Sequence, residues 1–296
     1  MVRAKVEILE KMNRLHKPLL STTLLAASFG LLAQPTPQPD LVAGNVWYGA
    51  VPPGARAQVL VFIHGLSGDA SYFWIGNDMY SMAYAAGYRT AFISMNADNS
   101  PNTASIPQDG TTIRSTLPVV ARHYTTPELI MIGHSKGGLD IQYAMAKYPA
   151  IRGLVAAVFT LATSNQGSQL ADWAFGPGKV LAGTLGLLSP GMANLRVATV
   201  QAYRAAFDPI FSAAGIPFYY LAGNSFTGRF PLGTTGRILK HISGEANDGF
   251  VAPSEVVLPS SYAADLGVVP YNHFLLGSGG VAFPYIHSQL LILQAQ

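Results

Sequence analysis

Residues 128–149 read ELIMIGHSKGGLDIQYAMAKYP, a serine framed by Gly133 and Gly137, directly after an apolar run and ahead of a helix-compatible stretch closed by Pro149. A G-x-S-x-G pattern set between strand and helix lifts its serine out at the carboxyl edge of a sheet. The glycines are needed there for space and dihedral freedom, because the turn is tight. The backbone N–H of Lys136, at the helix N-terminus, then faces negative charge developing on a substrate oxygen. A serine hydroxyl is a poor nucleophile until a base removes its proton, and that base must be oriented by an acid. The chemistry on offer is acyl transfer.

When the serine follows a buried strand in this way, the acid and then the histidine come later in the chain. His241, His273 and His287 all follow Ser135. His273, in VVPYNHF, comes just after a late apolar run, on a loop reaching the edge that carries Ser135. His287 lies in PYIHSQLLIL, a closing helix in which a half-buried histidine is unremarkable, and His241 precedes the acid. Asp248, in GEANDGFVAPSE, stands before glycine in a loop and 25 residues ahead of His273. Asp265 and Asp208 are the other candidate acids; one sits too close to His273 and the other in an irregular region.

A second backbone donor is required opposite the nucleophile. VFIHGLSG (61–68) ends an apolar run in His64-Gly65-Leu66, which puts the Leu66 N–H in that role, with His64 as a structural hydrogen-bonder.

These residues need a sheet to hold them. VLVFI (59–63), TAFISM (90–95), LIMIG (129–133), LVAAVFTLA (154–162), FYYLAG (218–223) and LGVVPY (266–271) are continuous apolar runs rather than alternating ones. Strands covered on both faces show that pattern, as in a parallel sheet. Helix-compatible segments at 77–87 and 137–149 lie between them, so the chain reads as α/β with a mainly parallel sheet. Residues 164–215, where apolar side chains alternate with Gly and Pro, are too long for a simple crossover and predict an insertion of small helices at one end of the sheet.

The N-terminus is a different material. Arg14 and Lys17 precede LLSTTLLAASFGLLA (19–33) and the proline-rich QPTPQPD (34–40), the order of a secretory signal peptide. The apolar run is short for a span of about 20 residues. Counted from Met12 the leader has ordinary proportions, so Met12 is a candidate start. The expected organisation is a leader over 1–33 and one domain over 34–296, exported or periplasmic.

Residues 1–33 hold five Lys/Arg and two acids, leaving 13 of each in the remainder. A neutral remainder gives no electrostatic reason to bind nucleic acid. The chain has no cysteine, so disulfides and thiolate metal sites are excluded. A monomer is the default.

With these pieces in order, the chain resembles the secreted bacterial triacylglycerol lipases of the α/β-hydrolase superfamily. The likeness runs from about Val59 to His273, through VFIHGLSG, LIMIGHSKGGLDIQY, FTLATSNQGSQLADW (159–173), NDGFV and NHF. It implies Ser135 as nucleophile, Asp248 as acid, His273 as base, the Leu66 and Lys136 amides as oxyanion hole, and a helical lid over about 165–215. The departures are Lys136 where many relatives have glutamine or methionine, and ATSNQG where threonine-proline-histidine is usual. Some relatives hold calcium through an aspartate just after the histidine; here Phe274 and Leu275 follow, which argues against a metal.

The expectation is a cofactor-free ester hydrolase, lipase or esterase, acting on a hydrophobic ester at a lipid or polymer surface. A polyester depolymerase with the same triad, a serine peptidase and a non-catalytic binder of hydrophobic ligands are the rivals. Tyr72, Phe73, Trp74, Trp173, Phe175 and Phe274, with the Leu66 side chain, are the candidate substrate contacts.

Overall fold

The computed structural model describes residues 35–76, 78–126, 128–184 and 186–295; the leader expected over 1–33 lies outside the described residues. Eight strands form one sheet in the order β1-β2-β4-β3-β5-β6-β7-β8. They are β1 (Gln38–Pro39), β2 (Val46–Tyr48), β3 (Val59–Ile63), β4 (Arg89–Ile93), β5 (Leu129–His134), β6 (Val155–Leu161), β7 (Phe218–Gly223) and β8 (Ala263–Val269). The pairs β1–β2 and β2–β4 are antiparallel, and β4 through β8 run parallel.

The strands are apolar throughout because both faces are covered. In β3, Val59, Val61 and Ile63 enter one hydrophobic cluster while Leu60 and Phe62 enter another on the opposite face. The side-chain period of two therefore feeds two cores at once. One face is covered by α2 (Ile106–Tyr124) and α3 (Lys136–Lys147), with Ile113, Leu117, Ile141 and Met145 in its cluster. The other is covered by α1 (Met79–Ala85) and the closing helix α9 (Phe283–Gln294).

The sequence pattern did not mark α2, whose interior holds Gly110 and Pro118. Its ends explain it: Ser105 and Gln108 form a reciprocal capping box, and Thr125 closes the helix in a left-handed conformation. The strand expected at 266–271 begins earlier, at Ala263, as a partly exposed edge.

The insertion expected over 164–215 divides into two parts. The helices α4 (Gln169–Phe175), α5 (Lys179–Thr184) and α6 (Pro190–Asn194) are short; Ala171 of α4 and Leu195, just after α6, join Leu139 and Ile106 in a small cluster. Then α7 (Val197–Ala214) buries Phe207 and Phe211 in the main core, as an ordinary sheet-covering helix does. The amphipathic α8 (Leu232–Ser243) leads from β7 towards the Asp248 loop.

Candidate active site

Ser135 sits between β5 and α3 at φ 55°, ψ −129°. A non-glycine residue there costs about 1–3 kcal/mol and persists only where the surroundings over-determine it. Here the Ser135 N–H donates to the Leu161 carbonyl at 2.9 Å, and the Gly138 N–H donates to the Ser135 carbonyl at 3.1 Å. The flanking glycines serve space alone. A Cβ on Gly133 would lie 2.5 Å from Gly138 Cα, and one on Gly137 would lie 2.5 Å from the Ile63 and His64 carbonyl oxygens. Neither has positive φ, so the dihedral part of the expectation belongs to the serine itself.

The loop after β3 passes directly against Ser135: a Cβ on Gly65 would lie 2.8 Å from Ser135 Cβ. His64 is buried and holds this loop. Its Nδ1–H donates to the Gly65 carbonyl at 2.9 Å, and its Nε2 accepts the Met95 N–H at 3.3 Å. That pairing fixes a neutral tautomer, and burial pushes the imidazole below its ordinary value. Lys136, at the first position of α3, has no intrahelical acceptor for its N–H. Neither that amide nor the Leu66 amide donates to a protein acceptor among the described residues.

Asp248 and His273 meet at the carboxyl ends of β7 and β8. His273 Nδ1 lies 2.8 Å from Asp248 Oδ2, and both side chains are buried. Asp248 Oδ1 accepts the N–H groups of Phe250 and Val251 at 2.9 and 2.7 Å, so both of its side-chain oxygens are engaged. With Nδ1–H given to the carboxylate, Nε2 of His273 is left with its lone pair. The ring lies 4.7 Å from that of His134, the residue just before Ser135. Among the described residues no hydrogen bond joins Ser135 Oγ to His273.

Beneath the elbow lies a buried ionic cluster. Lys136 Nζ contacts Asp109 Oδ2 of α2 and donates to both oxygens of Asp140, one turn along α3, at 2.8 and 3.1 Å. Burial alone would lower the ammonium, but the paired carboxylates reverse this and raise it. Burial drives Asp140 well above the usual carboxylate range despite Lys136, and Asp109 adds to the effect. Asn102 carries the connection onward. Its Nδ2 donates to Asp109 at 2.6 Å, its carbonyl accepts the Ser67 N–H at 2.7 Å, and its N–H donates to the Gly68 carbonyl at 3.0 Å. Lys136 and the loop after β3 are thus one polar network. The spacing of Lys136 and Asp140 on one helix face is legible in sequence; Asp109, 27 residues away, is not.

Glu255 is a second group that no local pattern in the sequence marks. It lies in a single helical turn, Pro253–Val256, just after the Asp248 loop. Its carboxylate accepts the Ala252 N–H at 2.9 Å and the Gln169 N–H at 2.7 Å, joining that loop to the start of α4. Burial raises it to about 7.

Several candidate substrate contacts are reassigned. Phe73 is fully buried against Phe62 and Phe92, and Trp74 packs on Phe92 and Trp47, so both belong to the core. Trp173 backs onto Gly178 in the corner between α4 and α5. Phe175 lies under the Arg196 guanidinium. Tyr72 stands behind His273, donating to the Phe274 carbonyl at 3.1 Å. Phe274 stays at the rim, 40% exposed. The rival groups have partners elsewhere: His287 Nδ1 with the Tyr88 hydroxyl, Asp208 with Arg204 and Tyr262, and Asp265 with the Gly267 N–H. No group of three or more His, Asp or Glu side chains able to hold a metal ion occurs among the described residues.

An eight-stranded, mostly parallel sheet with helices on both faces and a strained serine at its centre is the architecture of the α/β-hydrolases. No family model matches the sequence. Bacillus licheniformis lipase BlEst2 in its mature form is 29% identical, with a TM-score of 0.71 over 86% of this chain and 99% of that one. Its propeptide form is 28% identical, with a TM-score of 0.73, and the match spans 54% of that longer chain and 86% of this one. The metagenomic carboxyl esterase MGS0156, 20% identical over 84% of this chain and 70% of that one with a TM-score of 0.53, shares the fold. The chain has the α/β-hydrolase fold and is similar over most of its length to solved lipases and carboxylesterases.

Proposed function

We propose that this protein hydrolyses carboxylic esters through an acyl-enzyme on Ser135, with His273 as base and Asp248 as the acid that orients it. The supporting observation is the 2.8 Å contact of His273 Nδ1 with Asp248 Oδ2, which leaves Nε2 as the acceptor, on a ring that touches the residue preceding Ser135. Nε2 takes the serine proton as Oγ attacks the ester carbonyl, and the oxyanion draws on the Leu66 and Lys136 amides. The protonated His273 gives its proton to the departing alcohol. A water deprotonated by the same nitrogen then cleaves the acyl-serine bond, releasing the acid and restoring Ser135.

A hydrophobic substrate fits the surroundings. Val180, Leu181 and Leu187 on the short-helix insertion are exposed, as are Phe274 and Leu275 beside the base. The insertion serves as a lid carrying an apolar face to a lipid surface. The charged and apolar order of residues 1–33 supports export, and among the described residues no helix is long and apolar enough to cross a membrane.

The test is Ser135→Ala together with labelling by an organophosphonate. Loss of hydrolysis and of labelling supports the assignment, whereas a purified mutant that still cleaves soluble esters at the wild-type rate defeats it. An acyl-chain series in soluble and emulsified form tests the lid.

A further inference from the structure

The single helical turn His273–Gly277 carries the base on its first residue, and its backbone is gripped by two side chains from other segments. His134 Nε2 lies 2.9 Å from the His273 carbonyl oxygen. A carbonyl only accepts, so Nε2 carries the proton and donates. The Tyr72 hydroxyl donates to the next carbonyl, that of Phe274, at 3.1 Å. The two rings stack on each other at 5.2 Å with 22° between their planes. The turn lies flat on them, since a Cβ on Gly277 would come within 2.6 Å of the His134 ring and 2.7 Å of Tyr72 Cε1.

Resting on the triad reading above, we infer that His134 is a positioning residue for the base, with Tyr72 as its partner, fixing where His273 stands relative to Ser135. The path is short: His134 is covalently joined to Ser135 and hydrogen-bonded to the backbone of His273, so nucleophile and base are placed by one residue. Displacement of a reacting group by about 1 Å can cost on the order of 100-fold in rate. Asp248 restrains the imidazole through Nδ1 and the His273 N–H through its own carbonyl, and His134 restrains the remaining backbone group, the carbonyl.

The second histidine does not compete as a base. It is buried, and desolvation holds its imidazole well below the ordinary value, with His273 and His64 adding repulsion. It remains neutral while His273 carries the proton, so no second positive charge opposes the imidazolium.

The experiment compares His134→Phe, which keeps a ring but cannot donate, with His134→Gln, whose amide can donate, and with Tyr72→Phe. His134→Phe is expected to lower kcat by about 10- to 100-fold with KM within about threefold, and to move the acidic limb of the kcat/KM–pH profile. Gln recovers most of the loss. The far-downfield proton resonance of the His273 Nδ1–H bonded to Asp248 is the readout independent of turnover; it broadens or shifts in Phe and returns in Gln. Wild-type kcat, profile and resonance in His134→Phe overturn the inference, as does a Gln variant no better than Phe. If His134→Phe does not fold, Gln and Tyr72→Phe decide: the inference requires an altered resonance in Tyr72→Phe and one near wild type in Gln. Failure of the triad reading shows separately, as absence of phosphonate labelling at Ser135.

Discussion

Asp248 and His273 are tied twice, side chain to side chain at 2.8 Å and His273 N–H to Asp248 carbonyl at 2.9 Å. The backbone tie holds the residue even where the side-chain bond is altered. Asp248→Asn should therefore fold, with the Asn carbonyl still able to accept the Phe250 and Val251 amides. An amide presented to Nδ1 favours the wrong imidazole tautomer, and kcat should fall by about 10⁴ with little change in KM. Steady-state hydrolysis of a soluble chromogenic ester checks this; activity within tenfold of wild type would assign the acid elsewhere.

Lys136→Met removes the cation between Asp109 and Asp140 and leaves two buried carboxylates facing each other. Breaking a buried ion pair from one side costs about 3–5 kcal/mol. Urea unfolding should show a lower midpoint at unchanged slope, and adding Asp140→Asn should restore part of it. An unmoved midpoint in the single mutant would mean that the cluster contributes nothing net to stability.

Glu255 gives a signed pH dependence. Its ordinary value is 4.5 and burial raises it to about 7 in the fold, so between those limits the native state binds the proton more tightly than the unfolded chain. Stability from this group is fully present below about pH 4.5 and is lost as pH rises to about 7, by an amount on the order of 3 kcal/mol. The difference in unfolding free energy between Glu255→Gln and wild type should change over that window; a flat difference contradicts the assignment.

Gly191 is where the insertion meets both proposed oxyanion residues. A Cβ there would lie 2.6 Å from Leu66 Cδ1, 2.6 Å from the Ala104 carbonyl oxygen and 3.1 Å from Lys136 Cε. Gly191→Ala should cost about 1–3 kcal/mol through overpacking and lower kcat by about tenfold as the Leu66 loop shifts. Thermal unfolding and kinetics measured together separate the two effects, and unchanged kcat would show that the loop is held independently of the insertion.

What was legible in the sequence followed from local chemistry. Continuous apolar runs marked the strands because each feeds two cores, and the glycines marked the elbow because Gly138 and the Ile63 carbonyl leave no room for a Cβ. The order of Ser135, Asp248 and His273 led to an Asp–His pair in contact. Partnerships made across long separations were not legible. Asp109 reaches Lys136 from 27 residues away, His134 meets His273 across 139, and Glu255 meets Gln169 across 86. The aromatic run 72–74 shows composition without direction: Phe73 and Trp74 turn to the core, and Tyr72 turns to the turn that carries His273. α2 is not legible in the sequence because its stability lies in its caps and in burial of Ile113 and Leu117, which outweigh Gly110 and Pro118.

The short-helix segment leaves and returns at one place. Ser168 pairs with Arg196 as an isolated parallel bridge, the Ser168 N–H donates to the Leu195 carbonyl at 2.7 Å, and Arg196 Nε donates to Asp172 at 2.9 Å. A neck closed in this way fastens the two ends of the segment to each other, so its base is held by its own backbone, while Gln169 and Gly191 carry its contacts to the Glu255 carboxylate and to the Leu66 loop.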